Sequence, residues 1–291
     1  MKRVLIITLM AAGCAVSAMA QGSDETQTTS GLWQEFSVSK VLPYNWSIDA
    51  EAGYRTTNNF SDFDRLNVGL GVSYKLGKYL KFGLGYVFIR KHYLESMEYK
   101  YKGDYEFSSF QGTTFTDDEG TDYAYKGYNL DAANWASRHR AFFEVTADKR
   151  FWKTLRISLR ERYQYTHQMA RNVDRTKYRD PSYDATGAIT EYDEVTSEVK
   201  EKAAWDRHLL RSRLKFSIDK KGWDWEPFVS AELHNNLREK WHIDKIRASA
   251  GVEYSVSKTS KIAAAYIFTH ENDDDGNENE HSLSVSYRFK F

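Results

Sequence analysis

The feature that most constrains this chain is a strict two-residue alternation of apolar and polar side chains, repeated along its length. In NWSIDAEAGYR (45–55) one face carries Trp46, Ile48, Ala50, Ala52 and Tyr54, and the other carries Ser47, Asp49, Glu51, Gly53 and Arg55. RLNVGLGVSYKL (65–76) sets Leu66, Val68, Leu70, Val72 and Tyr74 against Arg65, Asn67, Gly69, Gly71, Ser73 and Lys75. TLRISLRERYQY, IRASAGVEYSV and the last ten residues, SLSVSYRFKF, repeat the pattern. A period of two is that of an extended strand, whose successive side chains point to opposite sides of a sheet.

These strands come in pairs joined by short connectors: KVLPYN (40–45), KLGKY (75–79), DKRFWK (148–153), DKKGWD (219–224) and SVSKTSK (255–261). Between the pairs lie longer polar segments at 56–63, 94–133, 169–203, 235–241 and 271–280. Tight turns alternating with long loops are the asymmetry of a transmembrane barrel, with the turns on the periplasmic side and the loops outside. In hydrocarbon an unpaired backbone N–H or C=O costs several kcal/mol, so such a sheet must close on itself. The expected fold class is all-β: a transmembrane antiparallel β-barrel closed by pairing SLSVSYRFKF with GLWQEFSVSK (31–40). Five hairpins and a closing strand make eleven, whereas single-chain bacterial barrels have even numbers. The expectation is therefore twelve strands, with one hidden in 21–30 or in a long loop, and ten if a connector is misread.

The opening MKRVLIITLMAAGCAVSAMAQ has a basic start, an apolar run and small residues at Ala18 and Ala20, the pattern of a secretory signal peptide. The expected organisation is a signal peptide over 1–20, a polar segment over 21–30 and the barrel over 31–291. Cleavage after Ala20 removes Cys14, the sole cysteine; the alternative reads AAGC as a lipobox with Cys14 lipidated, although Ala11 stands where leucine is usual. No later stretch approaches the ~20 apolar residues of a membrane-crossing helix. With 41 basic and 41 acidic residues the chain lacks the basic footprint of a nucleic-acid binder. Its 20 Tyr, 16 Phe and 8 Trp suit sheets apolar on one face. Tyr44, Trp46, Tyr79, Trp152, Trp223 and Trp225, near the tight turns, fit an interfacial girdle. An exported soluble sandwich also alternates, but pairs tight and long connections less regularly.

The segments GLWQEFSVSKVLPYNWSIDAEAGYR, LGVSYKLGKYLKFGLGYVFIR and GVEYSVSKTSKIAAAYIF resemble the bacterial outer-membrane family catalogued as domain of unknown function 2490. The resemblance spans essentially all of the chain after residue 20. It rests on Trp33, the lysine-bearing turns and the closing strand; it implies the fold and brings no catalytic residue. A final aromatic such as Phe291 also resembles the signal read by barrel-insertion machinery.

Inward parity places Arg138, Arg140, Arg156, Arg160, Arg162, Arg207, Arg211 and Arg213 along one side of the lumen, with Asp49, Glu51, Glu144, Glu226, Glu232 and Glu253 as the available acids. Two readings follow: a cation-lined passage for a small anionic solute, or a lattice of guanidinium–carboxylate pairs filling a narrow lumen. The lattice is favoured because arginine forks suit bidentate pairing. Glu161 shares parity with Leu159 and Tyr163 and is expected at the outer rim, where an outward charge costs little.

ENDDDGNENEHS (271–282) matches the first, third, fifth and sixth positions of a calcium loop, but Ser282 replaces the bidentate Glu of the twelfth. His139, His167 and His270 fall on outward faces, as in lipid-modifying barrel enzymes, with no Ser-His-acid set grouped by parity. Segments 94–133 and 169–203 are rich in Tyr, Asp, Gly and Lys and alternate themselves, which suggests protruding hairpins. The functional expectation is an outer-membrane barrel of unassigned substrate, porin-like or structural, with no cofactor. Its expected partners are membrane lipid and lipopolysaccharide, and its expected state is monomeric. The alternatives are a surface binder acting through 94–133 and 169–203, and a lipid-modifying enzyme.

Overall fold

A computed structural model describes residues 27–238, 241–273 and 276–291. The proposed 1–20 signal peptide and the fate of Cys14 lie outside these residues, as do residues 21–26 and Asp275 of the calcium-like run. The strands in chain order are β1 (Gln27–Val41), β2 (Trp46–Thr57), β3 (Asp62–Leu76), β4 (Leu80–Tyr93), β5 (Ser96–Tyr101), β6 (Glu106–Phe107), β7 (Thr114–Thr116), β8 (Asp122–Asp131) and β9 (Asn134–Phe151). They continue as β10 (Leu155–Gln168), β11 (Arg171–Tyr183), β12 (Ile189–Lys202), β13 (Trp205–Ile218), β14 (Trp225–Asn236), β15 (His242–Ser255), β16 (Ser260–Asp273) and β17 (Gly276–Lys290). The chain forms two units, one from the described residues up to Arg90 with Arg138–His167 and Asp206–Phe291, the other from Lys91–Ser137 and Gln168–Trp205.

The first unit is a closed barrel in the order β1-β17-β16-β15-β14-β13-β10-β9-β4-β3-β2. Among the described residues it has eleven strands, which corrects the expectation of twelve or ten. The even-number rule assumes that every neighbouring pair is antiparallel. Here β1 and β17 run parallel, from Gln27↔Glu278 to Ser39↔Lys290, while the hairpin pairs such as β1–β2 and β16–β17 are antiparallel. Eleven alternating strands leave the first and last pointing the same way, so a parallel seam is the only closure open to them. The seam is anchored at its end, where the Phe291 N–H donates to Ser39 O at 3.0 Å and the Val41 N–H to Phe291 O at 2.8 Å.

Alternation sets which side chains face out. Phe36 lies opposite Ala52 on β2 and Tyr287 on β17, and its ring stacks on Tyr287 with centroids 5.7 Å apart. On β3, Leu66, Val68, Leu70 and Val72 face outward and are exposed, Leu70 at 63 %, while Ser73 between Val72 and Tyr74 is buried. The barrel thus inverts a soluble core: its outer surface is apolar and its interior is charged.

The second unit is a sheet in the order β12-β11-β8-β5-β6, with β7 also paired to β8. The segments expected as long loops are therefore largely strands. Cross-strand aromatic pairs, a main source of sheet stability, hold it together: Tyr128 on β8 sits opposite Tyr178 on β11 with stacked rings 4.5 Å apart, and opposite Tyr99 on β5. Tyr101 is buried among Phe107, Phe115 and Tyr125; its hydroxyl donates to Gly112 O at 2.7 Å and accepts the Gln111 N–H at 2.9 Å. Gly127 takes a φ of +129°, and a Cβ there would lie 1.9 Å from Tyr178 O, so only glycine admits the β8–β11 approach.

Candidate functional site

The site with chemical content is the barrel interior. The inward arginines come chiefly from β9, β10 and β13, which are neighbours in the ring. Charges removed from bulk water need partners and further hydrogen bonds, and the interior supplies them in two tiers.

The upper tier centres on Glu232 of β14, which is 3 % exposed. Arg211 Nη2 donates to its Oε1 at 2.6 Å and Arg160 Nη2 to its Oε2 at 2.8 Å; Arg247 Nη1 lies 3.4 Å and His234 Nε2 2.8 Å from Oε1. Arg162 grips Glu144 Oε2 through Nε at 2.8 Å and Nη2 at 2.6 Å, and Arg160 Nη1 also approaches Glu144 at 3.9 Å. Arg140 Nε donates to Thr166 Oγ1 at 3.3 Å. Arg207 pairs with Asp244 at 3.0 Å, and Arg138 is half-buried on β9.

Trp33 completes this tier. The guanidinium of Arg55 lies 3.7 Å and that of Arg247 4.6 Å from its ring centroid, and its Nε1 donates to Glu280 at 3.1 Å. Two stacked arginines and a ring hydrogen bond give an inward tryptophan both its cation–π partners and its polar partner.

The lower tier lies toward the tight turns. Arg156 Nε donates to both oxygens of Asp148, at 2.9 and 2.8 Å, and Arg156 Nη1 stands 3.6 Å from Glu226. Lys215 bonds Glu253 at 2.5 Å, while Lys261 reaches Glu226 at 3.1 Å and Glu253 at 3.6 Å. Arg213 and Glu51 make no salt bridge among the described residues; Glu51 lies over Gly69, where a Cβ would meet its Cγ at 2.7 Å. This tier encloses a cavity of about 600 Å³. The cavity exists because the wall facing the arginines carries Gly69, Gly71 and Gly83, with no side chains to fill it.

Parity identified the inward arginines and acids, but not which pairs form. Arg247 and His234 were missed as members of the Glu232 cluster, although Arg247 has inward parity within IRASAGVEYSV. Glu161 departs from its expected rim position: it lies midway along β10 on the outer face and accepts a hydrogen bond from Ser212 Oγ of β13 at 2.6 Å. An outward carboxylate is tolerated there because the neighbouring strand supplies a donor.

The outward histidines are held by neighbouring polar groups. His139 Nδ1 lies 2.6 Å from Tyr86 OH, His270 Nδ1 2.9 Å from Asn279 Oδ1, and His167 Nδ1 2.9 Å from Asp206 Oδ1, which also accepts from Tyr165 OH at 2.6 Å. His208 and His281 repeat the contact of His139, with Tyr163 OH at 2.8 Å and Tyr266 OH at 2.5 Å.

In the second unit, buried Arg175 clasps Asp131 through Nε and through Nη2 at 2.9 Å, and Lys202 adds a contact at 2.9 Å. The Arg175 hydrogen bonds, with Lys202, hold the Asp131 carboxyl down to about 2.

Among curated proteins no match to this chain is found. Residues 30–280 match the family model described as a protein of unknown function, DUF2490, and with so much of its length matched the chain belongs to that family.

Proposed function

We propose that this protein is an integral outer-membrane β-barrel of structural rather than conducting type, its lumen crossed by a salt-bridge lattice. The observation that carries this reading is the apolar outer surface of a closed ring. Leu70, Val68, Leu84, Leu283 and Val285 are each about half exposed or more on the barrel strands. Contiguous apolar surface of that extent is not kept in water by monomeric soluble proteins. Exposed Tyr44, Trp152 and Trp225 mark the tight-turn end, and the tyrosine–histidine pairs at Tyr86, Tyr163 and Tyr266 lie farther along the strands. The roughly eleven residues from Trp152 to Tyr163 rise ~36 Å along a strand, or ~28 Å along an axis tilted by ~40°, close to the apolar band of such barrels.

On this reading the outer face meets acyl chains and lipopolysaccharide, the terminal Phe291 is read by the insertion machinery, and the barrel works as a monomer. The Glu232 cluster speaks against free passage, since a solute would have to break several desolvated pairs to cross it. The test is refolding of residues 21–291 into vesicles. The expected result is a heat-modifiable band on cold gels and negligible single-channel conductance. A chain that stays monodisperse and folded in plain buffer overturns the membrane assignment, and steady ion conductance overturns the closed lumen.

A second reading, surface binding through the other unit, is favoured by the ordered sheet that residues 91–137 and 168–205 form, with Tyr99, Tyr128, Tyr178 and Tyr192 clustered on it.

A further inference from the structure

The lower-tier cavity differs from the tier above it in one respect: its charges do not balance. Eleven lysines and arginines line it against seven acids. The acids are largely committed already, with Glu144, Asp148, Glu226 and Glu253 in the salt bridges described and Asp49 accepting from Ser39 and Ser73 at 2.5 and 3.1 Å. That leaves Arg213, Lys75, Lys78, Lys81, Arg288 and Lys290 without a salt-bridge partner among the described residues, opposed only by Glu35 and Glu51. Arg160, in the roof, adds a buried Nε with no hydrogen-bond acceptor.

Cations confined by low-dielectric walls focus a positive potential that bulk water screens poorly. Partnering them from within would need more inward carboxylates, and the wall that could supply those is glycine instead. Placing glycine opposite arginine leaves both the space and the charge for something that is not part of the chain.

We propose that this cavity is a closed-ended binding site for a small multivalent oxyanion, a polycarboxylate or a phosphate ester, entering from the tight-turn end. Arg213 is the deepest unpaired fork and suits bidentate contact with a carboxylate or phosphate group. Lys75, Lys78 and Lys81, on the β3–β4 turn and its flanks, attract the ligand at the mouth. A volume of about 600 Å³ is in the range of pockets for small organic molecules. The inference deepens the barrel reading by giving its periplasmic half a ligand; it needs the closed barrel but not its placement in a membrane.

The test is calorimetric titration of residues 21–291 in detergent micelles with citrate and, separately, with pyrophosphate at low ionic strength, using sucrose as a neutral probe. Folding is verified beforehand by gel shift, so failure of the membrane reading and failure of this one are distinguishable. Expected is one-to-one binding of at least one anion and none of sucrose. Arg213→Gln should weaken it at least tenfold and Lys81→Gln about threefold, while Lys258→Gln in the exposed β15–β16 turn leaves it unchanged. Lys81→Gln, at the mouth, keeps the test decisive should Arg213→Gln fail to fold. Absence of binding by both anions at millimolar concentration overturns the proposal, as does equal weakening by Lys258→Gln.

Discussion

Replacing Glu232 by Gln keeps the shape of the side chain and removes the one anion shared by Arg160, Arg211 and Arg247. At an effective dielectric of ~20, a charge pair with centres about 4 Å apart is worth ~4 kcal/mol. Three cations gathered around one carboxylate also repel each other, by ~2.5 kcal/mol for each pair at about 6.5 Å. The attractions exceed the repulsions by ~4–5 kcal/mol, and the substitution deletes the attractions while leaving the repulsions in place. Relaxation of the arginines recovers part of the repulsive strain, so the expected cost is ~3–5 kcal/mol, the range for breaking a buried ion pair by removing one partner. Urea unfolding in lipid vesicles followed by tryptophan fluorescence reads it directly. A double variant, Glu232→Gln with Arg211→Gln, should recover ~1–3 kcal/mol of the loss, because it removes one of the stranded cations. A loss below ~1 kcal/mol for Glu232→Gln, set against the few-kcal/mol cost of a broken buried pair, would refute the reasoning: the cluster would then be solvated like a surface ion pair.

The second unit supplies two sharper tests. A carboxyl ordinarily near 3.9 and held down to about 2 by Arg175 contributes stability that is complete above its unfolded value and lost as pH falls through the folded one. Amide exchange protection in β8 and β11 should therefore be flat from neutral pH to about 5 and fall between about 4 and 2. Asp131→Asn should abolish that dependence. Gly127→Ala should disrupt the β8–β11 pairing, seen as protease sensitivity at 171–183, while the gel shift of the barrel persists.

How much was legible follows from what alternation encodes. It tells the face of each residue, so the inward arginines, the apolar exterior and the closing role of β17 could all be read from the strings. It does not tell register. The Glu232 cluster joins residues from β10, β13, β14 and β15, and its membership depends on Arg213 lying opposite Glu232, and Glu232 opposite Arg247. Glu161 was placed at the rim for the same reason: its donor, Ser212, stands on another strand. The long segments were harder still. The Tyr-rich alternation of EYKYKGDYEFSSF marks strands, but the aromatic stacking of Tyr128 on Tyr178 joins residues fifty positions apart in different segments.

The strand count shows why a rule about parity failed when the parity of every strand was read correctly. Counting the visible hairpins gave eleven, and the twelfth strand was added to preserve an antiparallel seam. Parallel pairing is only slightly less stable per residue than antiparallel pairing, and the alternative is an open edge. Along this seam β1 and β17 match face for face, Leu32 with Leu283, Phe36 with Tyr287 and Val38 with Phe289 on the outside, Trp33 with Ser284 and Ser37 with Arg288 within. Because all side chains already point to the correct sides, closing an odd ring requires no reversal of faces. The same register brings Trp33 of β1 beside Glu280 of β17 and Arg247 of β15, so the seam of the ring is also where the interior charge network is fastened to it.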